Sequence, residues 1–438
     1  MRLTILLWGL LVAAAALPAE LPEPGELALL LNEDDFEDYL DMWLENEQIK
    51  FANESANVTP RSGCVLRVNG DLGQPQPVYL RNGDFPDSTG NTGLIHLNSG
   101  EQVTIACTGS GRTIVHPNLS TATTATCVNN ALVSASWLNG QSEFVGLTCS
   151  SNSQYVAEDT SNRCWNNNIV IRIGFHVGDV FITTFWSCFD QERLSVTYTW
   201  YEQNPWNAVH QTSVTRPGCF FPGVGINNLY TQVQQRDTIA DLVGQELADK
   251  YLSGNQYLAR GHLAAKTDFV YATGQRASFF FINAAPQWQP FNAGNWNWLE
   301  QNLRTRIGVA GYHTIVYTGT FGVSQLRDQN DRLVDVYLRP DINNNHQLPV
   351  PLYFYKVVYE PTLRIGTAFV SINNPYYTEA EVRALTFCTD RCRNNSAFNW
   401  LNWQPDRIEI GYSFCCDVDD FRRTVPHLPA FQVDGLLA

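Results

Sequence analysis

Eleven cysteines in two groups set the strongest limit on how this chain folds. The early group is Cys64, Cys107, Cys127, Cys149, Cys164 and Cys188, and the late group is Cys388, Cys392, Cys415 and Cys416. Six and four can each pair within their own group, so we expect two disulfide-linked regions, with Cys219 unpaired or bonded to another chain. The late four could instead bind zinc as thiolates, an alternative that an oxidising compartment disfavours.

The N-terminus indicates such a compartment. Residues 1–19 combine Arg2, an apolar run and small residues, a pattern typical of a secretory signal peptide. The run is short for a membrane-spanning helix, and no later segment has the length and apolarity of one. We therefore predict a secreted, extracellular protein with no membrane partner and no obligate protein partner. Four glycosylation sequons are compatible with export, at Asn53, Asn57, Asn118 and Asn394.

Residues 20–60 form an acidic N-terminal segment. Between residues 20 and 50, eleven acidic side chains stand against Lys50, so this stretch holds most of the net charge of −15. Aromatic and aliphatic residues recur there at helical spacing. A solvated tail or removable pro-region explains the segment. The alternative is a regulatory role in which its charge mimics phosphate and shields a basic groove.

Two regions with strands of different length follow. Residues 61–160 contain short strand-like runs separated by turn residues, which predicts a small β-rich module stapled by disulfides. From 165 to 438 the strand-like runs lengthen and helical stretches stand beside them, which predicts an α+β domain. The role of the module stays open between binding, for instance to carbohydrate, positioning and stability.

Within the second domain, one ordered set of polar residues carries chemistry. Its members are, in order, Arg260, Gly261, His262, Asn283, Gln287, Asn292, Glu300 and Arg304. An imidazole titrates near neutral pH and suits the activation of water, although a single histidine without context is more often structural. An amide oxygen such as that of Asn292 suits a hard cation.

Four-residue steps then connect the last three members of the set. In an α-helix beginning near Asn292, these steps place Asn292, Glu300 and Arg304 along one slowly turning face. The alternatives to a catalytic role are a helix cap for Asn292 and an ordinary surface ion pair between Glu300 and Arg304.

The ordered set resembles the DNA/RNA non-specific endonucleases of the ββα-metal class, and in particular the secreted duplex-specific and double-strand-degrading nucleases of arthropods. Further matches are PQWQPFNAGNWNWLE, FYKVVYE around Lys356 and CCDVDD at 415–420. The resemblance covers most of residues 165–425. It implies an α+β fold in which a ββα-metal endonuclease domain, residues 165–438, follows the small disulfide-stapled β-rich domain.

The resemblance also implies roles at the reacting phosphate. His262 corresponds to the general base, and Arg260 to the arginine that stabilises the transition state. Asn292 corresponds to the single protein ligand of Mg²⁺, which Mn²⁺ can replace. Glu300 would hold the water around that metal, and Arg304 would contact phosphate.

Three further residues are expected at the substrate. Arg216 corresponds to the upstream arginine of the family, at a longer spacing. Asn283 and Gln287 orient the site or the substrate, or else they are amides satisfied within a loop. Many family members have Asp before Arg-Gly-His where this chain has Ala259, so a carboxylate or backbone carbonyl from elsewhere is needed to orient the imidazole.

The predicted activity is Mg²⁺-dependent endonucleolytic hydrolysis of DNA or RNA, with a preference for duplexes, little sequence specificity and 5′-phosphate products. Contacts to phosphate carry little sequence information. The alternative is a secreted nucleic-acid-binding protein without catalysis, for which Ala259 is the best argument.

Overall fold

The computed structural model describes residues 63–115, 120–130, 132–134, 141–212, 214, 217, 226–339 and 346–438. The expected signal peptide, the acidic segment, Arg216 and Cys219 lie outside the described residues, as do the sequons at Asn53, Asn57 and Asn118. Within the described ranges, the helices are all too short or too polar to cross a membrane.

Seven short strands form the β-rich module: β1 (Gly63–Arg67), β2 (Val78–Leu80), β3 (Leu94–Asn98), β4 (Gln102–Ala106), β5 (Ala122–Asn129), β6 (Leu132–Ser134) and β7 (Gln141–Glu143). One sheet has the order β2-β4-β5-β6-β7, and β1 pairs with β3. Alternate residues of β1, Cys64 and Leu66, are buried, as expected where one face of a strand covers a core. The disulfides Cys64–Cys127 and Cys107–Cys149 link the module internally.

The strands after the module are β8 (Val156–Arg163), β9 (Ile169–Val177), β10 (Val180–Asp190), β11 (Ser195–Gln203), β12 (Leu258–His262), β13 (Ala284–Trp288), β14 (Thr314–Phe321), β15 (Gln325–Arg327), β16 (Leu333–Asp335), β17 (Tyr337–Arg339), β18 (Gln347–Pro349), β19 (Tyr353–Glu360), β20 (Ile365–Ile372) and β21 (Ser413–Cys416). Eight of them form an antiparallel sheet in the order β21-β20-β19-β14-β11-β10-β9-β8. Strand β8 lies mostly inside the range expected for the module, yet it pairs with β9 of this large sheet.

The described helices are α1 (Ile226–Leu229), α2 (Gln232–Val243), α3 (Gln245–Tyr251), α4 (Ala272–Ala277), α5 (Asn297–Ala310), α6 (Glu379–Leu385) and α7 (Val418–Thr424), with short helical turns between them. Hydrophobic cores cover both faces of the large sheet. All eight residues of β19 are therefore buried, which explains why its sequence YFYKVVYE is almost continuously apolar rather than alternating.

A two-stranded hairpin and a helix pack on one face of this sheet. Strands β12 and β13 pair antiparallel, and the chain then enters a helical run that leads into α5. Side-chain amides satisfy the outer edges of the hairpin: Gln235 of α2 bonds both backbone polar groups of Leu258, and Asn373 bonds Trp288 N and Pro286 O. The predicted ββα arrangement in an α+β fold, beside a disulfide-linked β-rich region, is confirmed.

The cysteines of the described residues pair within the two groups that the sequence predicts. The remaining bonds are Cys164–Cys188, Cys388–Cys416 and Cys392–Cys415. The late four sulfurs are therefore consumed by two disulfides, which excludes the zinc alternative for them.

Candidate active site

His262 is the last residue of β12, and Arg260 precedes it on the same side of the strand. The imidazole is half-buried and meets the ring of Phe279 edge to face, with 4.8 Å between the ring centroids. The guanidinium of Arg260 lies 5.3 Å from the centroid of the Tyr230 ring, a cation–π distance. Tyr230 in turn stacks on Phe281, so a buried aromatic pair supports the arginine.

Gly261 lies between these two residues because the hairpin leaves no room for a side chain. A Cβ at position 261 would stand 2.1 Å from Oε1 and 2.6 Å from Cβ of Gln287. Gln287 is fully buried on β13, opposite Ala259. Ala259 is only 1% exposed, so an acid at this position, as in many family members, would be buried against the same strand.

Asn292 lies inside a helical run rather than at its start. The run begins with a turn at Gln289–Phe291, where Pro290 is preorganised for a first helical turn, and a π-helical turn at Asn292–Trp296 then leads into α5. The run begins near Asn292, as expected, but Asn292 itself has helical φ −54° and ψ −47°, so the cap alternative is wrong. The π turn, with non-helical Gly294, also breaks the expected four-residue steps between Asn292 and Glu300.

Glu300 lies in the first turn of α5, and its side chain is partly buried, with Oε1 withdrawn from solvent. Its Oε1 has no hydrogen bond of normal geometry among the described residues, although the side chain of Trp296 lies near enough to lower the pKa of the carboxyl. Burial raises the pKa of Glu300 well above its ordinary value, and Asp268 raises it further, whereas the positive charges of Lys356 and Arg304 oppose the shift. A buried carboxylate oxygen without a normal hydrogen bond to protein is suited to accept from water or another ligand.

Arg304 lies one turn after Glu300, but its ion-pair partner among the described residues is Asp268. The Arg304 Nε donates to Asp268 Oδ1 at 3.1 Å, and Nη2 donates to Thr267 Oγ1 at 2.6 Å. The two charged side chains are 4% and 2% exposed. In this geometry Arg304 is committed to the protein interior, unlike the phosphate contact or surface pair expected from the sequence.

Asp268 collects donors from the large sheet as well as from α5. Tyr201 donates its hydroxyl hydrogen to Oδ2 at 2.5 Å, and Gln203 Nε2 donates to Oδ1 at 3.0 Å. Lys356 Nζ is 4.0 Å from Oδ2. Burial lowers the pKa of Lys356, against the raising effect of Asp268 and Glu300. These charges form one buried network beneath the hairpin.

Asn283 and Gln287 are both fully buried. Asn283 Oδ1 accepts from Ala264 N, and Nδ2 donates to Ala264 O and Ser278 O, at distances of 2.8 to 2.9 Å. Its polar atoms are therefore used by the backbone, as in the alternative of an amide satisfied within a loop. The two amide atoms of Gln287 have no hydrogen-bond partner among the described residues.

The sequence prediction missed the residues that support the site. Asp268 follows His262 closely in RGHLAAKTDF, but a single acid in a loop does not indicate a buried network. Lys356 lies in the motif FYKVVYE, which indicates no role for it, and nothing near Tyr201 or Tyr230 in the sequence connects them to the set. Tyr201, Tyr230 and Lys356 contact residues that are far from them in the sequence.

The donor set fits a hard cation. The nitrogen of the Asn292 amide is within 3.4 Å of Gln289 Oε1, an orientation that leaves its oxygen for a ligand. Glu300 adds a carboxylate oxygen with no hydrogen bond of normal geometry to the described residues. Oxygen ligands from few protein groups are what Mg²⁺ requires, because it keeps several of its waters.

A hairpin with a histidine at the end of one strand, followed by a helix that carries asparagine and glutamate, is the arrangement of ββα nucleases. The sequence pattern of the DNA/RNA non-specific endonuclease family matches residues 166–421. The chain belongs to this family, so the prediction of a hydrolytic nuclease that acts on nucleic acid is confirmed.

Among similar proteins is a salivary endonuclease of Lutzomyia longipalpis, 25% identical over 83% of this chain and 84% of its own length. The salivary protein Tsal2A of Glossina morsitans morsitans is also 25% identical, over 85% of this chain and 94% of its own length. The solved structure of EndoG in complex with EndoGI matches 57% of this chain and 87% of the solved chain, with 18% identity and a TM-score of 0.35.

Proposed function

We propose that this chain is a secreted Mg²⁺-dependent endonuclease that hydrolyses DNA and RNA, with a preference for duplexes, little sequence specificity and 5′-phosphate products. The observation that carries the proposal is the combination of His262 on the hairpin with Asn292 and Glu300 on the following helix. These side chains supply a base, a cation ligand and a carboxylate oxygen without a normal hydrogen bond among the described residues. Hydrolysis of a phosphodiester requires groups of these kinds.

In this mechanism His262 accepts the proton of the water that attacks phosphorus. Arg260, supported by the ring of Tyr230, offers positive charge to the phosphate. Asn292 would hold Mg²⁺, or Mn²⁺ in its place, and the cation would supply positive charge at the phosphate that is cleaved. Arg304 keeps α5 aligned through Asp268 rather than touching phosphate. Arg216 remains a proposed phosphate contact, and Gln287 a proposed substrate-orienting residue.

Secretion rests on the signal-like residues 1–19 and on the salivary relatives. We further propose that residues 20–60 are a pro-region whose charge shields the substrate groove. Deletion of residues 20–50 should raise cleavage at low salt and have less effect at high salt, where charges are screened. Equal activity of both forms at low salt would contradict this role.

The decisive experiment compares cleavage of matched double-stranded DNA, double-stranded RNA and single strands, with Mg²⁺ and with chelator. Wild-type protein, His262→Ala and the control His346→Ala, whose imidazole is exposed and stacks on Tyr337, are assayed together. We expect metal-dependent cutting by wild type and the control, a loss of at least a hundredfold for His262→Ala, and ends that a ligase joins directly. Near-wild-type cleavage by His262→Ala would refute the base assignment. Duplex binding without cutting would favour the binding protein.

A further inference from the structure

The hairpin at the site has an unusually long connection. Residues 263–283 join β12 to β13, whereas hairpin strands are usually joined by a few residues. A long connection has many conformations to lose on folding and needs contacts beyond the hairpin to fix it. His262 lies at its start and Asp268 within it, so the position of the connection bears directly on the site.

A row of polar residues on the large sheet fixes both ends of the connection. Ser187, Thr199, Thr318 and Lys356 are neighbours across four strands, and all are buried. Leu263 is the first residue of the connection, directly after His262, and its carbonyl oxygen lies 3.5 Å from Lys356 Nζ. Lys356 Nζ also donates to Thr318 Oγ1 at 2.9 Å. At the other end, Ser187 Oγ donates to Ile282 O at 2.6 Å.

The β-rich module holds the middle of the connection. Val270 and Tyr271 belong to the hydrophobic core of the module, although they come from the nuclease part of the chain. The ring of Tyr271 stacks on that of Phe85 with centroids 5.4 Å apart, and its hydroxyl donates to Pro86 O. Tyr271 is 5% exposed, so its burial depends on the module being folded.

Hydrogen bonds reinforce this contact on the following residues. Gln76 of the module donates from Nε2 to Gln211 Oε1 at 2.6 Å, and its own Oε1 accepts from Thr273 N at 3.2 Å. Gln211 also accepts from Ala272 N at 2.8 Å. Gln76 is fully buried, with 0% of its surface exposed, so these hydrogen bonds form in the protein interior.

Asp268 transmits the position of the connection to the helix of the site. It lies two residues before Val270, and it binds Arg304 one turn after Glu300. The module core therefore fixes Tyr271, and the short segment before Tyr271 joins it to Asp268, which the large sheet also holds. The ion pair with Arg304 then fixes the face of α5 that carries Glu300.

We propose that the β-rich module is a structural part of the active site, which it orders by holding Val270 and Tyr271, with Asp268 as the positioning residue between module and helix. This inference rests on the proposed function and gives the module a role in catalysis rather than in binding. A misplacement of about 1 Å of catalytic groups can cost about a hundredfold in rate. Loosening the connection therefore lowers kcat.

The test compares Tyr271→Leu with Phe144→Leu in the full-length protein. Phe144 is equally buried in the module core and packs on Tyr79, but it lies outside the connection. At a temperature where near-ultraviolet circular dichroism shows all variants folded, we expect Tyr271→Leu to lower kcat at least tenfold with KM changed less than threefold. Phe144→Leu should keep kcat within twofold, and Tyr271→Phe, which retains the ring, should recover most of the activity.

Wild-type kcat for Tyr271→Leu, or the same loss for Phe144→Leu, would overturn the proposal. Failure of the proposed function is visible separately, because it appears as activity that survives in His262→Ala. In that case the ratio of kcat between Tyr271→Leu and Phe144→Leu still tests whether the module orders the active site, since both variants retain His262.

Discussion

Arg304 and Asp268 form an ion pair inside the protein, with Arg304 Nε 3.1 Å from Asp268 Oδ1 and both side chains almost inaccessible to solvent. The pair joins the helix that carries Glu300 to the connection that begins at His262. The ion pair therefore holds α5 and the β12–β13 connection together, and its removal is expected to lower both stability and activity.

Removing one partner of this pair should be strongly destabilising, because the other charge is left buried. We expect Asp268→Asn and Arg304→Met each to lower the free energy of unfolding by about 3 kcal/mol. The double variant should lose clearly less than the sum of the two, as measured by urea unfolding in a double-mutant cycle. Additive losses would show that the two side chains do not interact.

Lys356→Met should move the acid limb of the kcat/KM profile to higher pH. The positive charge of Lys356 lowers the pKa of Glu300, which burial raises, so its loss raises that pKa further. A larger fraction of Glu300 is then protonated at neutral pH. We expect a displacement of at least about half a pH unit. Lys356→Arg retains the charge and serves as the control, and an unmoved acid limb in Lys356→Met would contradict the assignment.

Tyr230→Leu should weaken transition-state stabilisation through Arg260. The lost cation–π contact corresponds to about 0.5–2 kcal/mol, or about twofold to thirtyfold in kcat/KM. Tyr230→Phe keeps the ring and should retain most of the activity. If both variants lose activity equally, the hydroxyl of Tyr230 rather than its ring supports the site.

His427 should make the protein sensitive to acid. Burial lowers the pKa of His427 to about 4, and the neutral ring lies 2.7 Å from the Tyr355 hydroxyl through Nε2. The unfolded chain binds the proton more readily, with a pKa of about 6.5. The stability is therefore complete above about pH 6.5 and declines as the pH falls toward 4, by up to about 2–3 kcal/mol.

Unfolding by urea at pH 7 and pH 4.5 tests this prediction. His427→Gln, which keeps a hydrogen-bond acceptor but does not titrate, should lose less stability between the two pH values than wild type. An identical loss would assign the acid sensitivity to other groups.

Local patterns in the sequence predicted the elements of the site more reliably than its contacts. Strand-like runs around His262 and Asn283, and the helical run that contains Glu300, are local, and they appear as the ββα hairpin and helix. The π turn was missed because one extra residue in a helical turn leaves little trace in apolar spacing.

The buried network was missed for another reason. Asp268 is joined to Tyr201 and Arg304 across the fold, so its role depends on packing between distant segments. The sequence shows that such charges exist but not that they meet. The module contact of Tyr271 was hidden in the same way, since an aromatic residue in a loop has many possible partners.

Strand β21 ends with two neighbouring cysteines whose side chains enter different cores. Cys415 packs in the core on one side of the large sheet and Cys416 in the core on the other side. Their partners, Cys392 and Cys388, pack against those same two cores. Four sulfurs can be paired in three ways. Strand alternation places Cys415 and Cys416 on opposite faces of the sheet, so the observed pairing is the one in which each disulfide stays on its own side and anchors β21 to one of the two cores.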